Sequence, residues 1–353
     1  MEKKGLYIYG VIPAVAGSRL ILNDGRENSN EELFFGPHGI TACEEVYTVS
    51  YQDISAVVSD SETLDYTHMR KDRLAMLLVR HQKAIEKIMG LGHAIIPMRL
   101  GTFAKGAEEI KLILACGHSI IKDIFTKISN IIEIDITAIL GDFNSTLKEI
   151  GEGKEIKEFK DGLLASPGGV TVDDQMKIGL MVKDALDRIR EGYSKKIQAA
   201  LKSVSHDFKA HELMDDKMVA NIAFLINKAK QKDFEIKVEG LNIEFNEKLN
   251  FRCVGPLPPY SFYTLEIKTV KNEEIDWAKK RLGILDDITS KNELKKAYQR
   301  QAVSTHPDRN PNMPCAEKEF DEVNRAYKIL VDYCAALEQT NQKENAMLVR
   351  VRE

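Results

Sequence analysis

The sequence predicts an α+β protein whose last quarter is entirely helical, and three patterns support this fold class. Residues 5–13 (GLYIYGVIP) are rich in Tyr, Ile and Val and alternate imperfectly, and residues 131–140 (IIEIDITAIL) alternate strongly. Residues 70–89 instead repeat apolar side chains at helical spacing. After about Glu273 only helical patterns follow. Strands and helices that follow one another in this order favour an antiparallel sheet with helices packed on it.

Length and composition indicate a soluble globular protein of two or three domains. The chain has 353 residues, of which 43% are hydrophobic and 29% charged. Its net charge of −4 argues against a generally basic nucleic-acid binder. No apolar run approaches the roughly 18–20 residues that span a bilayer. The N-terminal stretch alternates and holds two tyrosines, unlike a signal peptide, so we expect a cytoplasmic protein without a membrane or nucleic-acid partner.

Motifs of catalysis and metal binding are missing from the sequence. The five cysteines are scattered and form no CxxC pair, so neither a disulfide framework nor a zinc site is predicted. There is no GxGxxG, Walker or HExxH motif. We therefore expect a protein that is not an enzyme and that has no catalytic residues, metal or cofactor.

Further patterns complete the two mixed domains. In the first domain we predict strands at 46–51 and 54–59, a helix over 70–89, a strand at 94–98 and a helix over 108–128. In the second we predict a loop at 151–169, a helix over 173–211, a strand at 218–226, a helix over 229–239, and strands at 241–245 and 250–254.

The sequence after about Glu273 predicts three helices. The first ends at Gly283, and Ser290 with Glu293 forms a capping box that opens the second, which runs to about Thr305. The third covers about residues 315–331. The final stretch, residues 338–353, is polar, and we expect it to be loosely ordered.

A His306-Pro307-Asp308 tripeptide lies between the second and third of these helices. The second helix carries four bases against one acid, so its exposed face is a basic strip suited to an acidic partner. The third carries five acids against three bases. These residues resemble a J-domain, in which such a tripeptide follows a helix with an Ala-Tyr pair flanked by bases, here Ala297-Tyr298. Two departures are Ser304-Thr305 before the tripeptide, and Trp277 in place of the usual tyrosine-leucine pattern of the first helix.

The J-domain resemblance implies docking on a DnaK-type chaperone ATPase. The residues expected to dock and to stimulate ATP hydrolysis are His306, Pro307, Asp308, Lys295, Lys296 and Arg300. Pro307 would stiffen the loop, and Asp308 could accept charge-assisted hydrogen bonds from an arginine of the partner.

Three further motifs, in this order along residues 1–268, resemble the gas vesicle protein F/L family. The start is Tyr7-x-Tyr9-Gly10-Val11, the middle is a histidine-bearing helix around His81 that leads to Pro97-x-Arg99-x-Gly101-Thr102, and the end is Gly255-Pro256-x-Pro258-Pro259-Tyr260-Ser261-Phe262. The sequence departs from the family pattern at Leu100, where phenylalanine is common, and in a divergent middle section.

This second resemblance implies the domain plan and a function. We expect an N-terminal α+β domain over 1–128, a ferredoxin-like α+β domain over 129–270, an all-α J-domain helical hairpin over 271–335 and a polar tail over 336–353. The expected function is a gas vesicle assembly accessory protein, associated with gas vesicles, that binds the small apolar shell protein. Other gas vesicle accessory proteins are further expected partners.

Alternative interpretations remain open. The protein could be a minor structural component of the vesicle wall with a weakened J-domain. It could also be a small-molecule or anion-binding α+β protein, because Arg99 beside Gly101 suits an anion. A structural turn with an internally paired Arg99 is the competing interpretation of the same residues. His81, on an apolar helix face, is predicted to be a buried histidine with a hydrogen-bond partner.

Overall fold

The computed structural model describes residues 4–14, 46–62, 69–165, 170–246, 248–284, 291–310, 315–340 and 346–352. The chain divides into two compact units, of which the first joins Met1–Lys127 with Tyr263–Glu353 and the second is Ile128–Phe262. All pairings between named strands are antiparallel, which confirms the predicted α+β class. The C-terminal helices therefore share a unit with the N-terminal strands.

The N-terminal domain of the first unit is a small sheet with two helices. Its elements are β1 (Lys4–Pro13), β2 (Val46–Tyr51), β3 (Ile54–Glu62), α1 (Lys71–Gly90), β4 (Ile96–Pro97), β5 (Phe103–Ala104) and α2 (Ala107–Ile128). The strand order is β2-β3-β1-β4, and β5 also pairs with β1. Gly10 lets β4 approach β1 closely, because a Cβ at this position would lie 2.7 Å from the carbonyl oxygen of Ile96.

The second unit has the predicted ferredoxin-like topology. Its elements are β6 (Ile131–Leu140), α3 (Phe143–Gly151), α4 (Lys154–Leu164), α5 (Val172–Lys202), β7 (Asp207–Ala210), β8 (Met218–Asn227), α6 (Gln231–Phe245), β9 (Leu249–Leu257) and α7 (Tyr260–Tyr263). The strand order β7-β8-β6-β9 places the first and third strands of the βαββαβ pattern side by side at the centre.

Several boundaries in the second unit differ from the sequence prediction. The predicted loop at 151–169 contains α4, whose N-cap is Gly153. The predicted helix over 173–211 ends at Lys202, and β7 follows it. The predicted strand at 241–245 is the end of α6, because Leu241 and Phe245 lie four residues apart and are buried on one helical face.

The helical module of the first unit consists of three helices between two paired strands. The elements are β10 (Leu265–Val270), α8 (Asn272–Leu282), α9 (Lys291–Thr305), α10 (Ala316–Thr340) and β11 (Ala346–Val351). Gly283 ends α8 in the left-handed conformation, as predicted. Ser290, the predicted cap of α9, and Pro311 lie outside the described residues.

The expectation that residues 338–353 are loosely ordered is wrong for the described part of this stretch. Helix α10 continues to Thr340, and β11 pairs antiparallel with β10 over six residue pairs, from Leu265 with Val351 to Val270 with Ala346. None of the helices in the described part of the chain combines the length and the apolar character that crossing a bilayer requires.

Candidate functional site

The His306-Pro307-Asp308 loop lies at the end of the helical module, between α9 and α10. The backbone N–H of Asp308 donates to Nδ1 of His306 at 3.1 Å, which places the proton of a neutral imidazole on Nε2. The Asp308 side chain is 90% exposed, and that of His306 40%. The loop therefore presents the Asp308 carboxylate to solvent beside a partly exposed imidazole.

Asn310 closes this loop. Its side-chain amide donates to the carbonyl oxygens of Ser304 at 3.0 Å and His306 at 3.1 Å. The ring of His306 also packs edge-on against Phe320 of α10. These contacts hold the loop across the gap between the two helices.

The basic strip of α9 is solvent-exposed over its whole predicted length. Lys295, Lys296 and Arg300 are all exposed, whereas the neighbouring Leu294 and Ala297 are buried. The buried side chains belong to a core with α8 and α10 that includes Ile275, Leu282, Val323, Ala326 and Leu330. The helical spacing thus separates a packing face from a charged face.

Tyr298 joins α9 to α10 at the edge of the core, where its side chain is half-buried. Its ring stacks on Tyr327 with centroids 4.3 Å apart, and its hydroxyl donates to Oδ1 of Asn324 at 2.8 Å. The Ala-Tyr pair noted in the sequence therefore contributes one buried methyl group and one helix-to-helix hydrogen bond.

The two departures from the J-domain pattern have structural roles. Ser304 and Thr305 both donate their hydroxyl groups to the carbonyl oxygen of Gln301, each at 2.8 Å, so they close the last turn of α9. Thr305 is buried and Ser304 is exposed. Trp277 of α8 lies under the guanidinium of Arg325, whose central carbon is 5.3 Å from the ring centroid.

The Pro97–Thr102 segment forms a turn that connects the N-terminal domain to β10. Thr102 donates its hydroxyl to the carbonyl oxygen of Arg99 at 2.6 Å, and Gly101 adopts a φ of 85°. The backbone N–H of Arg99 donates to Leu265, and its guanidinium lies 3.4 Å from the Glu266 carboxylate. Arg99 is therefore paired internally, in agreement with the structural interpretation of this turn.

The N-terminal motif contributes buried side chains. Tyr9 is 1% exposed and hydrogen bonds to Ser59 at 3.1 Å. Tyr7 contacts Nδ1 of His81 through its hydroxyl at 2.7 Å, and burial lowers the pKa of His81 to about 4. His81 is thus the buried and hydrogen-bonded histidine that its position predicted.

The C-terminal motif surrounds a buried carboxyl group that the sequence analysis did not single out. Ser261 donates to Glu133 twice, from its backbone N–H and from its hydroxyl, each at 2.9 Å. Nε2 of His211 lies 3.0 Å from the same hydroxyl. Burial raises the pKa of Glu133, and Asp135 two residues along β6 raises it further.

Gly255 allows the motif to reach Glu133. A Cβ on Gly255 would lie 3.0 Å from the carbonyl oxygen of Glu133. Tyr260, Ser261 and Phe262 then form the short helix α7 after Pro258 and Pro259. The one sequence signal for this cluster was the pair of acids, Glu133 and Asp135, within an otherwise apolar strand.

Comparisons with known proteins find one match for the α+β part of the chain and another for its helical C-terminal part. A family model described as "Gas vesicle synthesis protein GvpL/GvpF" matches residues 5–264, and a DnaJ domain model matches residues 280–335. Gas vesicle protein F of Haloferax mediterranei is 22% identical, with 74% of this chain and 94% of that protein covered. The chaperone protein DnaJ of Salinibacter ruber is 49% identical over 51 residues, which are 14% of this chain and 13% of that protein.

Two solved structures have the same fold over the first three quarters of the chain. The crystal structure of GvpF from Anabaena gives a TM-score of 0.59 at 20% identity and covers 73% of this chain and 97% of that one. The crystal structure of GvpF from Microcystis aeruginosa gives 0.56 at 22% identity and covers 73% and 98%. The chain therefore belongs to the GvpL/GvpF family of gas vesicle synthesis proteins, and it carries a DnaJ domain after the family region.

Proposed function

We propose that this chain is a gas vesicle assembly factor that binds the small apolar shell protein and brings a DnaK-type chaperone ATPase to it. The observation that carries the proposal is the exposed His306-Pro307-Asp308 loop beside an exposed basic strip, in a chain whose residues 5–264 match the GvpL/GvpF model. In this proposal the family region binds the client and the J-domain recruits the chaperone.

The surface of α9 and the loop suits an acidic protein partner. Lys295, Lys296 and Arg300 are exposed cations that can steer and orient such a partner. Asp308 adds an exposed carboxylate that can pair with an arginine through charge-assisted hydrogen bonds. A surface with one anion among several cations favours one docking orientation, because the reversed orientation would place like charges together.

The family region is proposed to hold the client. A J-domain does not select clients, so the remaining part of the chain has to supply this specificity. The names of the relatives connect that region to gas vesicles, and the client implied by the family resemblance is the small apolar shell protein. Coupling such a protein to an ATP-driven chaperone would keep its apolar surface from aggregating before assembly.

The first experiment measures ATP hydrolysis by a purified DnaK-type chaperone in the presence of the full-length chain. We expect the wild-type chain to stimulate hydrolysis and His306→Gln to abolish the stimulation. Lys295→Ala should weaken it by ~3- to 10-fold, since one exposed interfacial charge is lost. Lys318→Ala, which removes an exposed lysine of α10 in the same module, is the matched control and should leave stimulation unchanged.

The second experiment tests client binding with the same proteins. The shell protein should co-purify equally with the wild-type chain and with His306→Gln, because the substitution lies outside the family region. A wild-type chain that stimulates no hydrolysis would contradict chaperone recruitment. A chain that does not retain the shell protein would contradict the client-binding half of the proposal.

A further inference from the structure

The strand pair, formed by β10 and β11, lies between the N-terminal domain and α10. Cross-strand partners in an antiparallel pair share a face, so Glu266 lies beside Arg350 and Val270 beside Ala346 on one side. Ile267 and Val349 lie together on the other side. Each side contacts a different part of the first unit.

The first side of the strand pair contacts α10. Val270, Ala346 and Leu348 belong to the core of the helical module. Asp332 of α10, whose side chain is 8% exposed, accepts from Nη1 of Arg350 at 2.7 Å and from Lys268. A buried carboxylate with two cationic partners, one on each strand, holds the helix to both strands.

The second side contacts the N-terminal domain. Val349 is fully buried, and a Cβ on Gly117 of α2 would lie 2.7 Å from its Cγ1 atom. Gly117 thus provides the space into which β11 packs. Glu266 also connects the two sides, because it binds Nε of Arg350 at 2.8 Å and lies 3.4 Å from Arg99 of the N-terminal domain.

Gln339 occupies the outer edge of β11. Its side-chain amide accepts from the backbone N–H of Val349 at 3.0 Å and donates to the carbonyl oxygen of the same residue at 2.8 Å. A glutamine that makes both bonds replaces a neighbouring strand and covers an edge that would otherwise pair with another chain. Gln339 lies beyond residue 335, where the DnaJ match ends, so this contact uses the extension of α10.

We propose that β11 is a clamp that fixes the J-domain to the N-terminal domain, and that this fixed mounting directs the chaperone to material held by the same chain. The first half concerns the chain alone, and the second half rests on the proposed function. A clamp of this kind would make the His306 loop a feature of one rigid body, in contrast to a module on a flexible linker.

Trp277 provides a direct test of the clamp, because it is the single tryptophan of the chain and lies in α8 of the J-domain. Time-resolved fluorescence anisotropy reports how fast the J-domain rotates. In the wild-type chain we expect Trp277 to depolarise with the slow rotation of the whole first unit. Val349→Asp, which puts a charge into the contact with Gly117, should add a faster component while the emission spectrum stays that of a folded module.

Two further variants keep the clamp test decisive. A chain that ends at residue 341 lacks β11 altogether and should show the same fast component. It takes the place of Val349→Asp in the test if that variant does not fold. Arg352→Ala is the control, because it removes an exposed arginine just after β11 and should keep the slow rotation. A fast component already present in the wild-type chain, or slow rotation in all clamp variants, would overturn the clamp.

The directing role is tested with ATP hydrolysis and shell-protein solubility measured side by side. Val349→Asp should stimulate a DnaK-type chaperone as well as the wild-type chain does, because the loop and α9 are unchanged. Chaperone-dependent recovery of soluble shell protein should fall by at least ~5-fold, since the effective concentration of chaperone at the client is lost. Unchanged recovery would refute the directing role, and absent stimulation by the wild type would refute the proposed function but leave the anisotropy result valid.

Discussion

The imidazole of His306 packs edge-on against the ring of Phe320, with centroids 5.0 Å apart and planes at 65°. This contact joins the His306-Pro307-Asp308 loop to the N-terminal part of α10. We predict that Phe320→Ala destabilises the J-domain by about 1–3 kcal/mol, because a half-buried aromatic side chain is lost. It should also reduce stimulation of the chaperone ATPase, since His306 loses its support.

Phe320→Leu separates these two effects. Leucine keeps most of the buried volume but lacks the ring that contacts the imidazole. Unfolding followed by Trp277 emission should show a smaller loss of stability than for Phe320→Ala, while stimulation is reduced in both variants. Full stimulation by Phe320→Ala would show that the contact does not position His306.

Asn310 is predicted to hold the loop through its two side-chain donors. Asn310→Ala should cost about 1–2 kcal/mol, from two lost hydrogen bonds to backbone carbonyls. Asn310→Asp should cost more, because a carboxylate cannot donate and would lie beside two carbonyl oxygens. The stability of the J-domain by denaturant titration measures both, and Asn292→Ala, at an exposed position of α9, is the control that should change nothing.

Much of the fold follows from patterns within short stretches of the sequence. Strand β6 alternates along most of its ten residues, β1 is rich in Tyr, Ile and Val, and α1 repeats buried side chains from Leu77 to Ile88 at helical spacing. The stretch 241–245 shows where local patterns are ambiguous, since its alternation suits a strand. Only the burial of Phe234 and Val238 in the preceding turns identifies it as helix.

The strand β11 could not be predicted, because the residues that it pairs with and packs on are distant in the sequence. Its six residues form a weak pattern on their own, and Arg350 pairs with Glu266, which is 84 residues away. The same holds for the cluster at Ser261, whose partner Glu133 lies 128 residues away. By contrast, the His306-Pro307-Asp308 loop and α9 are contiguous in the sequence, so a motif was sufficient to predict their positions.

His81 makes the stability of the first unit depend on acidic pH. Burial lowers its pKa from 6.5 to about 4, so the unfolded chain binds a proton in this interval that the folded chain does not bind. Stability should therefore fall as pH decreases from about 6.5 to 4, by about 3 kcal/mol in total. Denaturant titrations followed by Trp277 emission at several pH values measure the slope.

His81→Gln should flatten that slope, because glutamine does not titrate. It should also lower stability at neutral pH, where the hydrogen bond between Tyr7 and the imidazole is lost. His93→Gln, at a half-buried position after α1, is the matched control and should keep the wild-type slope. A slope that persists in His81→Gln would assign the acid sensitivity to another group.

Glu133 gives the second unit a pH dependence of the opposite sign. Burial raises the pKa of this carboxyl from 4.5 to about 8, and the nearby Asp135 adds to the shift. The folded chain then keeps a proton that the unfolded chain has released, so stability is highest below about pH 4.5 and falls as pH rises to about 8. Hydrogen exchange of the β6 and β8 amides, corrected for intrinsic rates, measures this unit separately.

Glu133→Gln should remove the alkaline loss and make the second unit more stable than wild type at pH 8. The glutamine oxygen can still accept from the backbone N–H of Ser261, while no charge has to be buried. Glu149→Gln, at an exposed position of α3, is the control and should leave the pH profile of the amides unchanged. If Glu133→Gln lowers stability at pH 8, the carboxylate is stabilised by its neighbours, and Glu133 is ionised in the folded protein.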